Sequence, residues 1–216
     1  MDAMELIEAR HSVRQYKEQP IEAEKRSVLD ALCEKCNAES GLHMQIIYDE
    51  PKCFHSIMAH YGKFRGVTSY IAIVGKKGAD LEEKAGYYGE QLVLKAQELG
   101  LNACWVALTH GKSAAKVARG EKLAVIISLG YGETQGVAHK SRPLPELSRA
   151  TGSVPEWYER GVRAAQLAPT AVNQQKFLIS LEGDAVTITA PSGAYTKMDL
   201  GIVKYHFELV SGHKVN

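Results

Sequence analysis

The sequence predicts an α+β protein, a three-layer α/β/α sandwich, from three observations. Amphipathic helical runs and short apolar strand runs are mixed along the chain, one strand run (Ser69 to Val74, SYIAIV) is uncharged throughout, and two late runs read as a hairpin. A purely parallel sheet would not accommodate that hairpin. The 216 residues are 45% hydrophobic with a formal net charge of +1. That is enough apolar material for one globular domain, or for two merged halves.

Each element has a local reason. Asp2 to Ala9 reads as a short helix, and Ile21 to Cys36 as an amphipathic one opened by Pro20. Met44 to Tyr48 is a short apolar strand, and Phe54 to Tyr61 a short helix. Ser69 to Val74 is rich in β-branched and aromatic residues and suits a buried strand. Leu81 to Leu99 has the strongest helical pattern, with Leu92, Lys95, Ala96 and Leu99 at helical spacing and Gly100 as the stop. Leu101 to Leu108 and Leu123 to Leu129 read as strands flanking a helix from Ser113 to Ala118. Gly130 to Ser153 is a polar connection, long enough to suggest a functional loop. A helix from Val154 to Leu167, the hairpin from Lys176 to Thr189 and a helix from Met198 to Val210 complete the series.

A weak internal echo runs through this order. Glu24 to Ala31 and the strand at Met44 parallel Glu159 to Ala165 and the strand at Phe177. Leu92, Val93, Glu98 and Leu99 are echoed by Ile202, Val203, Glu208 and Leu209. Two amphipathic helices share such matches by chance, so a duplicated half-unit and coincidence both stay open.

Composition excludes several function classes. Near-neutral charge argues against a nucleic-acid binder, which needs a basic excess. No apolar run approaches a membrane span, and Met1 to Arg10 carries Asp2, Glu5 and Glu8, unlike a signal peptide. Four cysteines are too few for a disulfide scaffold, so a cytoplasmic protein with reduced thiols is expected.

Three segments carry candidate chemistry. In ARHSVRQY (Ala9 to Tyr16), Arg10, Ser12 and Arg14 put two guanidiniums and a hydroxyl within five residues, a set able to surround a phosphate or ring oxygens. A solvated basic turn is the competing account. In GYGETQGVAHKSRPL (Gly130 to Leu144), Lys140 and Arg142 alternate and can converge on one anion, or simply be a solvated loop. In LAPTAVNQQ (Leu167 to Gln175), a polar break offers backbone N–H groups, the Thr170 hydroxyl and the Asn173 amide to a ligand with ring carbonyls and hydroxyls.

Taken together, RHSVRQY, ELGLNACWVAL, LGYGE with HKSRPL, and LAPTAVNQQ resemble the signatures of the FMN-dependent nitroreductase family, over most of the chain. The resemblance implies that Arg10, His11, Ser12 and Arg14 hold FMN at its ribityl phosphate and pyrimidine side, and that Lys140 and Arg142 bind its phosphate. It implies further that Val106, Ala107 and Leu108 run along the isoalloxazine, and that Pro169, Thr170, Ala171 and Asn173 close the site from the other side. Lys63, in HYGKF, falls where the family often places a residue near the flavin N1 and O2. NADH or NADPH would donate hydride, and a nitroaromatic, quinone or similar small molecule would accept it. No acid or base residue is assigned. A flavin-binding protein without efficient turnover is the alternative.

One departure from the family pattern bears on architecture. The APS-x-x-N-like segment usually follows the arginine motif by about one helix, where this chain has CEKCNAESGLHMQII. Its recognisable copy lies at Ala168 to Asn173. In ordinary members that segment comes from the partner subunit, so the chain resembles a branch that merges two half-units, here 1–110 and 111–216. A monomer acting as a pseudo-dimer and a homodimer both follow.

Competing sites are fewer. Cys33 and Cys36 form a C-x-x-C, with His43, Cys53 and His55 nearby in sequence, from which a zinc site or a redox dithiol can be drawn. Their place on a helix favours half-buried structural cysteines instead. Cys104 and Trp105 suit core packing, Trp105 equally a flavin wall; His206 suits a helix face, and His110 a loop.

Overall fold

The structure is a computed structural model that describes residues 1–216. Its elements are α1 (Ala3–Ala9), α2 (Ala23–Ser40), β1 (Gln45–Ile47), a 3-10 turn (Pro51–Phe54), α3 (Ile57–Tyr61), β2 (Ser69–Lys76), α4 (Leu81–Glu98) and β3 (Asn102–Val106). There follow β4 (Glu121–Gly130), α5 (Leu144–Leu147), β5 (Ser148–Ala150), α6 (Glu156–Gln166), a short 3-10 turn (Ala171–Asn173), β6 (Leu178–Glu182), β7 (Ala185–Thr189) and α7 (Thr196–Ser211). The α+β class is as expected, with seven helices and two sheets.

Two stretches differ from expectation. No helix forms over Ser113 to Ala118, because side chains take the backbone groups a helix would use. The Ala114 N–H donates to the Tyr70 hydroxyl (2.8 Å), Lys116 exchanges two bonds with the Gln45 amide, and the Ala118 N–H donates to Glu121. The connection after Gly130 holds α5 and β5, too short to show a period in sequence.

Contacts divide the chain into two units. The first comprises 1–9, 82–91 and 138–216; the second comprises 10–81 and 92–137. In the first, β5, β6 and β7 form a sheet in that order, β5 parallel to β6 and β6–β7 the expected hairpin. Beside them α6 and α7 pack so closely that a Cβ on Gly161 would lie 2.6 Å from the Phe207 ring. The first-unit stretch of α4 approaches α7 backbone to backbone. A Cβ at Gly86 would sit 2.0 Å from the Met198 carbonyl oxygen, and one at Gly201 2.0 Å from that of Glu83. Beneath this crossing His206 and Glu90 are buried, with Nε2 2.9 Å from Oε1. His206 lies on a helix face as its sequence suggests, and that face is the buried one.

The second unit is built on an antiparallel sheet in the order β1-β2-β4-β3. Seven of the eight residues of β2 are buried, as its uncharged sequence predicts. The chain after α1 extends this sheet past β3: Ser12 bridges Ala103 in parallel, and the Val13 N–H donates to the Ala103 carbonyl. Val13, Tyr16, Phe54, Phe64, Tyr70, Cys104 and Ile126 share one apolar core. Cys33 and Cys36 are fully buried on α2 rather than half-buried. Burial pushes Cys33 up to about 12 and Cys36 up to about 11.

Candidate functional site

In the second unit the arginine motif is an extended strand laid on the edge of β3. Its register is fixed by Tyr16, whose hydroxyl donates to the Val13 carbonyl (2.7 Å) and lies 2.8 Å from Ser128 Oγ. Gly66 makes room for this strand, since a Cβ there would lie 2.0 Å from the Tyr16 carbonyl oxygen. Gly136 does the same beside His11, where its Cβ would lie 2.8 Å from the His11 Cβ. The loop carrying Gly132 is tied down by Asn102, which accepts from the Gly132 N–H (2.9 Å) and donates to Gln135 (3.0 Å).

This placement sets Arg10, Ser12 and Arg14 at alternate positions along the edge of β3, next to Ala103 and Cys104. Burial raises the Cys104 thiol, while Arg14, a hydrogen bond to Ser12, and Arg10 oppose that rise. Arg10 is buried, whereas Arg14 is exposed and forms no ion pair. Val106 ends β3 in the core; Ala107 is partly covered and Leu108 is 69% exposed. Lys63 is exposed at φ +63, just after α3, and it too has no ion pair. His11 is half-buried.

In the first unit the structure joins Thr170, Asn173, Lys140 and Arg142 through residues to which the sequence assigned no site role. Three residues that are not glycine have left-handed backbones here: Val172 (φ 46), Asn173 (φ 56) and Gln175 (φ 44). Such conformations cost of order 1–3 kcal/mol each and persist only where surroundings impose them. The imposing bonds are explicit. Asp199, buried in α7, accepts from the Ala171 N–H (2.9 Å) and the Gln174 amide (2.7 Å). Thr170 Oγ1 accepts from the Gln175 N–H (3.0 Å). Asn173 donates to the Lys140 carbonyl (2.8 Å) and accepts from the Gln175 amide (2.9 Å). Pro169 and Ala171 are partly covered within this loop.

The two cations differ in state. Lys140 is exposed with no partner for its ammonium, whereas the Arg142 guanidinium pairs with Glu146 (2.8 Å). His139 precedes them; its Nε2 lies 3.3 Å from the Leu167 carbonyl oxygen, and its buried Nδ1 has no hydrogen bond. Gln175, Asp199 and His139 are what sequence reasoning missed. The Gln174–Gln175 pair stood in the motif, but its role depends on side-chain direction.

A family model described as "Putative TM nitroreductase" matches residues 2–211, nearly the whole chain. The chain belongs to this nitroreductase family. A nitroreductase-family structure from Thermotoga maritima, itself described as a putative nitroreductase, is 25% identical with a TM-score of 0.70, covering 97% of this chain and 83% of its own. A Desulfovibrio desulfuricans protein described as a putative nitroreductase in complex with FMN is 19% identical, with a TM-score of 0.54, covering 67% of this chain and 93% of its own. A Parabacteroides distasonis protein described as a putative NADH dehydrogenase/NAD(P)H nitroreductase has 19% identity and a TM-score of 0.52, covering 67% and 95%. The last two share the nitroreductase fold with this chain. No curated protein matches it. No group of three or more His, Cys, Asp or Glu side chains is placed to hold a metal ion, and no helix is long and apolar enough to cross a membrane.

Proposed function

We propose that the chain is an FMN-dependent oxidoreductase that takes hydride from NADH or NADPH and passes it to a nitroaromatic, quinone or similar acceptor. Family membership supports the class, and the FMN complex of the Desulfovibrio protein supports the cofactor. The observation that carries the site is the placement of Arg10, Ser12 and Arg14 at alternate positions along the edge of β3, where Ser12 bridges Ala103, with Arg14 exposed and in no ion pair.

Taken unit by unit, the donors suit parts of a phosphate-bearing, hydroxyl-rich ligand. Arg14, Lys63 and Lys140 offer cations not neutralised by carboxylates, and the bare Nδ1 of His139 can accept from a hydroxyl. Arg142 can exchange Glu146 for another anion, because an exposed ion pair of this kind holds by only about 0.2–1 kcal/mol. Arg10, His11, Ser12 and Arg14 would hold the ribityl and pyrimidine side, with Lys63 adding positive charge. Val106, Ala107 and Leu108 would lie along the ring, Lys140 and Arg142 would bind the phosphate, and Pro169, Thr170, Ala171 and Asn173 would close the site. Bound FMN supplies the redox chemistry, hydride uptake and its onward transfer. The protein contributes orientation and positive charge, and needs no acid or base for hydride transfer. The same reading takes a cytoplasmic protein whose half-units, 1–110 and 111–216, act as a pseudo-dimer in one chain or recur in a homodimer.

The test is the spectrum of the purified protein. A flavin absorption band, release of FMN on denaturation, and bleaching by NADH or NADPH are expected, with recovery of colour on adding a quinone. Colourless protein that takes up no added FMN would refute the proposal.

A further inference from the structure

We infer that Gln175 is the positioning residue for the anion-binding segment, acting through Lys140; this rests on the proposed flavin reading. Gln175 is 2% exposed, and its carboxamide grips the backbone on both sides of Ser141. Oε1 accepts from the Arg142 N–H at 2.8 Å, and Nε2 donates to the Lys140 carbonyl at 2.9 Å. A neighbouring strand in a parallel ladder makes the same pair of bonds, accepting from residue i+1 and donating to residue i−1. One side chain thus stands in for a strand and holds Lys140 to Arg142 extended, the conformation that directs their side chains to one face. The main-chain carbonyl of Gln175 also accepts from Arg142 Nη1 (3.3 Å).

The backbone at Gln175 shows that the carboxamide, not local preference, justifies the residue. At φ 44 a glycine would be more comfortable, yet the chain places a long side chain there and buries it. Nε2 is further fixed by Asn173 Oδ1 (2.9 Å), so the amide cannot flip without losing these three bonds. Lys140 itself has no side-chain partner, so the Gln175 clamp and the Asn173 amide at its carbonyl oxygen are what orient it.

The experiment compares FMN and riboflavin affinities of apoprotein prepared from wild type, Lys140→Ala, Gln175→Gly and the double variant. Glycine keeps the left-handed backbone and deletes only the clamp, and circular dichroism with a melting curve confirms folding. Gln175→Glu, which can accept from Arg142 but not donate to Lys140, serves as a second variant. Expected are an FMN preference in wild type, its loss in Lys140→Ala, and roughly tenfold weaker FMN binding in both Gln175 variants with riboflavin affinity held within about twofold. The double variant should be no weaker than Lys140→Ala alone. If Lys140→Ala abolishes the preference and the Gln175 variants keep it, the positioning role is overturned and the flavin reading stands. If wild type lacks the preference, or Lys140→Ala retains it, the phosphate assignment falls and this inference with it.

Discussion

The buried His206–Glu90 pair gives the most exacting test of the packing. Both side chains are 0% exposed, on α7 and on the first-unit stretch of α4. The Ala164 carbonyl oxygen, 3.1 Å from His206 Nδ1, can only accept, so Nδ1 carries a hydrogen. Nε2 then either donates to a carboxylate or accepts from a protonated carboxyl. Either way the pair holds two protons and is neutral overall. Replacing Glu90 with Met strands Nε2 in a dry interior, and losing one partner of such a pair costs about 3–5 kcal/mol. Against a typical total of about 5–15 kcal/mol, that is a large share. Replacing both, as Glu90→Met with His206→Leu, removes the stranded group. The Ala164 carbonyl is not orphaned, because it also accepts from the Leu167 N–H (3.1 Å). The double variant should therefore lie within about 1 kcal/mol of wild type, or above it. Urea unfolding followed by circular dichroism measures all four corners of the cycle. If the double variant loses the sum of the two single losses, the residues are not coupled and the argument fails.

Other outcomes follow from the same structure. Gly86→Ala and Gly201→Ala should each destabilise by at least about 1–3 kcal/mol, since the added Cβ meets a rigid carbonyl at 2.0 Å; a melting temperature unchanged in both would contradict the close crossing. Burial raises all four thiols, with Cys53 reaching about 11, so above the unfolded value of about 8.5 the unfolded chain releases protons that the folded chain keeps. Stability should then fall as pH rises, by up to about 1.4 kcal/mol per pH unit per thiol, and Cys33→Ala plus Cys36→Ala should flatten the slope without changing flavin content. Asn173→Ala should weaken FMN binding roughly ten- to hundredfold with the fold retained. Mixing Arg10→Ala and Asn173→Ala proteins should restore no activity if each chain is a pseudo-dimer, and part of it if two chains share a site; unchanged FMN affinity in Asn173→Ala would remove that residue from the site.

Local patterning made most of the fold legible. SYIAIV is uncharged because both faces of β2 are covered, and the period of Leu81 to Leu99 is that of a helix with a buried stripe. Ser113 to Ala118 misled because its residues tolerate a helix, and what overrides them is Tyr70 and Gln45, some 44 and 71 residues away in sequence. For His206 the helix was legible but not which face it takes. Its helical spacing fits either face, and only the glycines that let α4 approach α7 decide that it is buried. At the candidate site, motif residues could be named from sequence, but their place along the edge of β3 depends on the pairing with Ala103 and on the bond from Tyr16 to Val13.

The polar run after α6 shows why motif residues and ligand-contacting residues need not coincide. Thr170, Asn173, Gln174 and Gln175 look like groups waiting for a ligand, yet each has an internal partner. Together with Asp199 they hold three left-handed residues whose strain would otherwise open the loop. Their chemistry is spent on backbone shape, and that shape delimits the segment carrying Lys140. An amide is suited to this work because it donates and accepts at once, without the desolvation cost of a charge. The Lys140 ammonium beside it stays exposed, with no ion pair. A helix end that needed only to turn could have used a single glycine; one that must also hold a neighbouring segment in place needs side chains long enough to reach it.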